Sequence, residues 1–174
     1  MTHTETTEVV RGWFAGRLPT EWFVASPEIS VDREEIVIVG ELAAPDVAES
    51  ASPAERAAAS AGRIKAFRED TRDRRMAIAR EAEHHFGRKV AWGARCGERR
   101  EVFTSLSVPV MTRLRQSDRL VLDTLVDAGV ARSRSDALAW CVRLVGEHAG
   151  DWLAELRDAM RTVAQVREAG PLGG

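Results

Sequence analysis

Apolar residues recur along this chain with two periods, and the switches between them outline its elements. Val9 and Trp13 stand four apart, as do Val10 and Phe14. They predict a short amphipathic helix over residues 8–18, capped by Thr6 or Thr7 and stopped by Pro19. Ile29 and Val31 alternate with polar neighbours, residues 36–42 form a β-branched run, and polar residues 32–35 lie between them. That order predicts a hairpin whose second strand is buried on both faces. Residues 43–61 are rich in Ala and Ser and offer little to bury, so they read as a linker merging into a helix. The helix is predicted over residues 54–85, where Ile64, Phe67, Thr71, Ile78, Ala82 and Phe86 form one stripe. Arg68, Arg72 and Arg75 follow an adjacent face at the same spacing, at the margin of the core but within reach of solvent. Asp70 and Arg74 are placed to pair, and Gly87 ends the helix.

A second hairpin is predicted from residues 90–95 and 102–108 around Gly97-Glu98, where glycine supplies a positive φ. Two helices follow, over about 110–128 and 134–148, with Gly129 in the left-handed position between them. A tail helix over residues 151–167 ends at Gly170-Pro171. The fold class is therefore α+β, in the order α-ββ-α-ββ-αα-α. It divides into residues 1–50 (helix plus hairpin), 51–101 (basic helix and the next strand) and 102–174 (helical module with the tail helix).

Charge changes this picture more than bulk composition does. The 174 residues are 44% hydrophobic and 30% charged, ordinary for a globular chain. The net charge of −2 is unevenly spread. Residues 1–50 carry three basic and ten acidic side chains, residues 51–100 thirteen and seven, and residues 101–174 nine and ten. The whole is not the strongly basic chain of a nonspecific nucleic-acid binder, but its middle third is basic enough to face phosphates or to neutralise the acidic first third. No apolar run approaches the ~20 residues of a spanning helix, and the first fifteen residues lack a secretory pattern. Cys96 and Cys141 show no metal or disulfide spacing, which fits a reducing cytoplasm.

Candidate chemistry is thin. His84-His85 follows Glu81 and Glu83, but adjacent histidines diverge by ~100° on a helix and no third ligand has suitable spacing. Neither cysteine has a nearby base, Glu34-Glu35 belongs to a turn, and no phosphate-cradling glycine motif occurs. No enzyme activity, metal or cofactor is expected. Of five tryptophans, four adjoin apolar runs, and only Trp92, beside Lys89 and Arg95, is a candidate for base stacking.

One segment carries a functional signal. Phe103-Thr-Ser-Leu-Ser-Val-Pro109 is followed by Leu122-Asp-Thr-Leu-Val-Asp-Ala-Gly129 and then by Arg132-Ser-Arg-Ser-Asp-Ala-Leu138. Strand, amphipathic helix, glycine stop and a second helix opened by Ser-Arg-Ser-Asp resemble the ribbon-helix-helix DNA-binding family over residues 102–148. Two chains of that family pair their strands antiparallel and interlock their helices. Ser133 stands three residues before Asp136, close to a capping box. The helix N-terminus with Arg132, Ser133, Arg134 and Ser135 forms a candidate phosphate site. Two strand registers are open. The first ends at Val108, with Pro109 opening the helix, and turns Ser105 and Ser107 toward a major groove. The second extends to Leu114 and presents Met111 and Arg113, with Pro109 interrupting the ladder. The first is preferred. The spacing from Pro109 to Gly129 is longer than the family's, and Ser117-Asp118 falls where the family favours an apolar residue.

The resemblance implies a homodimer that binds double-stranded DNA as a transcriptional regulator, cytoplasmic and nucleoid-associated, with no membrane contact. Arg68, Arg72 and Arg75 would extend its DNA footprint. The alternative is an adaptor or antitoxin-like protein whose C-terminal module dimerises while its N-terminal half binds a protein partner.

Overall fold

A computed structural model describes residues 3–169 and divides the chain into two units, Met1–Val108 and Pro109–Gly174. The fold is mixed α+β: α1 (His3–Arg17), β1 (Glu28–Val31), β2 (Glu35–Glu41), α2 (Pro53–Asp70), α3 (Arg72–Phe86), β3 (Lys89–Cys96), β4 (Arg99–Val102), α4 (Gln116–Asp127), α5 (Arg134–His148) and α6 (Gly150–Ala169). The predicted stop of the last helix at Gly170-Pro171 lies outside the described residues. None of the described helices is long and apolar enough to cross a membrane.

The first unit is built on one sheet of order β1-β2-β3-β4. The first hairpin forms as predicted, with Ile29 opposite Ile38 and Val31 opposite Ile36. Its turn is tied by the Asp32 carboxylate, which accepts from the N–H groups of Glu34 (2.8 Å) and Glu35 (2.7 Å). The two hairpins are joined edge to edge by parallel pairing of β2 with β3, Ile38 opposite Trp92. The segments 1–50 and 51–101 thus share a single core. Val10 and Phe14 of α1, Ile64 and Phe67 of α2 and Ile78 and Ala82 of α3 pack with Ile36, Ile38, Trp92, Ala94 and Cys96 of the sheet. Trp92 is edge-on to Phe14 and Trp22, at 6.3 and 6.0 Å, so it is a core residue and not a stacking platform for bases.

Four expectations are corrected here. The first helix begins at His3, five residues before Glu8. The basic helix is two helices, so the order is α-ββ-αα-ββ-αα-α. The break lies at Thr71, whose hydroxyl donates to the Phe67 carbonyl at 2.5 Å while its φ of −98° and ψ of 3° leave the helical range. Third, the second hairpin closes on β4 and not on residues 102–108. Val102 pairs with Gly93, the Phe103 N–H reaches the Trp92 carbonyl (2.7 Å), and residues 104–115 have no ladder partner. Phe103 fixes this end point, because its ring packs on the core beside Phe67. Fourth, α4 begins at Gln116 instead of near residue 110, because the Arg115 backbone is extended (φ −74°, ψ 170°) and its N–H is taken by the Asp118 carboxylate at 3.2 Å.

In the second unit Gly129 takes φ +75° between α4 and α5, with its N–H on the Val126 carbonyl at 3.0 Å. A Cβ there would meet nothing within 4 Å. The cost of Gly129→Val is therefore conformational alone, about 1–2 kcal/mol. A thermal melt should show a correspondingly small loss, and an unchanged curve would mean the turn does not need a left-handed residue.

Candidate nucleic-acid interface

The sequence-predicted site residues fall into three places. Ser105 and Ser107 are exposed at the end of the first unit, in the extended stretch after β4. Arg113 is exposed in the extended residues that lead into α4. Arg132, Ser133, Arg134 and Ser135 gather at the start of α5, and Arg68, Arg72 and Arg75 lie on α2 and α3.

The α5 start is ordered by its own side chains. Ser133 is the N-cap, with its hydroxyl accepting from the Asp136 N–H at 3.2 Å. Asp136 in turn accepts from the Arg132 N–H at 3.0 Å, one residue ahead of the usual capping-box partner. This backbone hydrogen bond, with the nearby Arg132 charge, holds the Asp136 carboxyl below its ordinary range. An acidic group therefore already occupies the positive end of the helix. Arg134 grips Asp123 of α4 through two hydrogen bonds of 2.6 and 2.7 Å. The fork lowers the Asp123 pKa and ties α5 to α4. Arg132 is 95% exposed in its side chain, with Asp136 at 3.7 Å.

Both carboxylates have folded pKa values below the unfolded ~3.9, so they stabilise the unit above that range. The contribution is lost as pH falls from about 4 through the lowered folded values. Acid titration followed by circular dichroism should show Asp123→Asn less acid-sensitive than wild type. Equal sensitivity of the two would show that the Asp123–Arg134 fork contributes nothing measurable.

The arginine row on α2 and α3 is not one solvated face. Arg75 is 5% exposed, with its Nε on the Thr71 hydroxyl (2.9 Å) and Nη2 on the Arg68 carbonyl (2.6 Å). Its guanidinium lies 5.0 Å from the Phe103 ring centre and 5.9 Å from that of Phe67. Burial first, then Arg68 and Arg72, pull its pKa down to about 10. The helix break turns this side chain inward, which corrects its expected reach to solvent. Arg68 and Arg72 stay exposed, with loose carboxylate neighbours at 3.8 Å (Glu101) and 3.7 Å (Asp73).

Sequence reasoning missed the apolar surface of the second unit. Leu122, Ala131 and Ala137 form its buried core, with Leu114, Leu125, Val126, Leu138 and Cys141 partly packed around them. Val110 and Met111 are 83% and 97% exposed, and Leu120, Val121, Val142, Val145 and Trp152 also face solvent. The signal was present as helical periodicity, but periodicity does not reveal whether a face is covered within one chain.

Comparison with known proteins covers both units. Residues 8–102 match the family model described as "Rv1265-like protein, N-terminal domain", and residues 115–167 match "Mb1296 C-terminal domain". "Uncharacterized protein Mb1296" of Mycobacterium bovis and "Uncharacterized protein Rv1265" of Mycobacterium tuberculosis H37Rv are each 58% identical over 160 residues, covering 91% of this chain and 69% of the relative. No solved structure matches at a significant level. With both domain models matched in order and identity this high over most of each sequence, the chain belongs to the Rv1265-like family.

Proposed function

We propose that the protein is a dimeric, sequence-specific double-stranded DNA-binding protein acting as a transcriptional regulator, with residues 109–148 as a ribbon-helix-helix-like module. The observation that supports this reading is the mismatch between α4–α5 and their core. Three buried side chains are too few to hold two helices, while an extended stretch beside them has an open hydrogen-bonding edge. A second copy related by a two-fold axis would pair that edge and cover Leu120, Val121, Val142 and Val145.

The reading favours the second strand register. Leu114 packs on the α4–α5 cluster, so the two-residue period of a strand places Val110 and Thr112 with it and turns Met111 and Arg113 outward. Pro109 then opens the strand, where a missing N–H is tolerated. The later start of α4 also shortens the distance from strand to Gly129. Met111 and Arg113 are the groove residues of this arrangement, and Ser105 and Ser107 precede it. Arg132, Ser133 and Ser135 offer phosphate contacts, while Arg134 contributes by holding α5 through Asp123.

A mobility-shift titration on random and selected duplexes at increasing salt tests this. Affinity falling steeply with salt, with a shallower slope for Arg132→Ala, is the expected result. Absence of binding at low salt, or a monomer by light scattering at micromolar concentration, sinks it. The Arg134–Asp123 fork and the burial of Arg75 remove two cations from the candidate surface. They favour a second reading, an adaptor whose C-terminal unit only dimerises. A salt-insensitive dimer without DNA affinity would select that reading.

A further inference from the structure

Helix α6 carries an apolar seam that is exposed among the described residues. Trp152, Leu156, Ala159, Val163 and Val166 recur at steps of four, three, four and three residues, the spacing of a helix-pairing seam. All five are exposed, and Met160 beside them is 71% exposed. Within the described residues the polar groups lie off the seam, where Arg161 pairs with Asp158. The helix is no appended tail, since the matched C-terminal domain model runs through it to residue 167.

We infer that α6 is a self-association helix that pairs antiparallel with α6 of a second copy of this chain. Charge selects both the occupant and its direction. Residues 150–159 carry three acidic and one basic side chain, and residues 160–169 carry two basic and one acidic, balances of −2 and +1. A parallel pair would set the acidic halves against each other. An antiparallel pair sets each acidic half on a basic one and opposes the two helix dipoles. Alanine at the middle of the seam lets the two backbones approach closely where they cross. The contact does not depend on pairing of residues 109–114, so either interface can exist without the other.

Cysteine cross-linking of the full chain tests this, in a Cys141→Ala background since Cys96 is buried. Under mild copper-phenanthroline oxidation, Ala159→Cys should give a covalent dimer. Asp151→Cys and Arg167→Cys should each cross-link poorly alone and efficiently when mixed. Adding Leu156→Asp and Val163→Asp should reduce the Ala159→Cys product at least tenfold while the circular dichroism spectrum of the first unit persists. The inference is overturned if Ala159→Cys gives no dimer, if Asp151→Cys alone cross-links as well as the mixture, or if the two aspartates leave the yield unchanged. A Val110→Asp variant reads the strand interface separately. Loss of DNA binding there with the Ala159→Cys cross-link intact would separate the two contacts.

Discussion

Gly93→Ala is expected to destabilise the Met1–Val108 unit by about 3 kcal/mol, a fall of roughly 15 °C in melting temperature for a unit of this size. Gly93 lies in β3 directly opposite Val102 of β4. An added Cβ would stand 2.7 Å from the Glu101 carbonyl oxygen, 3.2 Å from the Val102 Cα and 3.1 Å from a Val39 methyl. Two of these neighbours are backbone, held by the β3–β4 ladder, so they cannot swing away as a side-chain end would. The strand must open locally, and with it the seat of Phe103. Gly129→Val is the contrasting case, a left-handed position with open space around it. Thermal denaturation by circular dichroism checks the difference, and a Gly93→Ala melt indistinguishable from wild type would place β4 elsewhere.

Arg75→Ala should cost nearly as much, about 2–3 kcal/mol, without changing the salt dependence of any DNA binding. Two losses add and one gain offsets them. The Arg68 carbonyl at the end of α2 loses its donor, worth about 1–3 kcal/mol for a buried group. The space between Phe67 and Phe103 is left underfilled. Against this, a buried cation with no carboxylate partner among the described residues is removed. Its folded pKa of about 10 lies below the ordinary guanidinium range, so the charged form is held at a cost below pH 10 and the cost is relieved as pH rises above it. Arg75→Met keeps the packed stem and sheds the charge, so it should melt above Arg75→Ala. Arg68→Gln with Arg72→Gln should leave the melt near wild type and, if these residues meet phosphates, lower the salt slope by up to about two contacts. A wild-type melt for Arg75→Ala would show that the guanidinium is not part of the core.

Local signals were legible in the first hairpin, at two glycines and at the α5 cap, and were missed at Thr71 and Arg115. The first hairpin followed from alternation around residues 28–39 and an Asp32 able to tie the turn. Gly87 and Gly129 took the left-handed conformations that their places after helices required. Ser133 capped α5 because its hydroxyl needs only the N–H three residues on. The second strand of the second hairpin was misjudged because residues 102–108 alternate as a strand should, yet pairing depends on a partner edge. Cys96 and Gly93 set that edge against 99–102 and leave 104–115 unpaired.

By itself the sequence determined the turn of the first hairpin, the glycine stops at Gly87 and Gly129 and the Ser133 cap, since these rest on interactions spanning four residues or fewer. Tertiary structure alone decided that the two hairpins share one sheet through parallel β2–β3 pairing, because no local pattern records which edge meets which. It also decided that Arg75 turns inward while Arg68 and Arg72 stay in water. All three share a helical spacing, and only the break at Thr71 and the arrival of Phe103 from a distant strand distinguish them. The apolar faces of α4, α5 and α6 follow the same rule. Periodicity wrote them, but only the folded chain shows that three small-to-medium side chains close their core and that the rest faces outward.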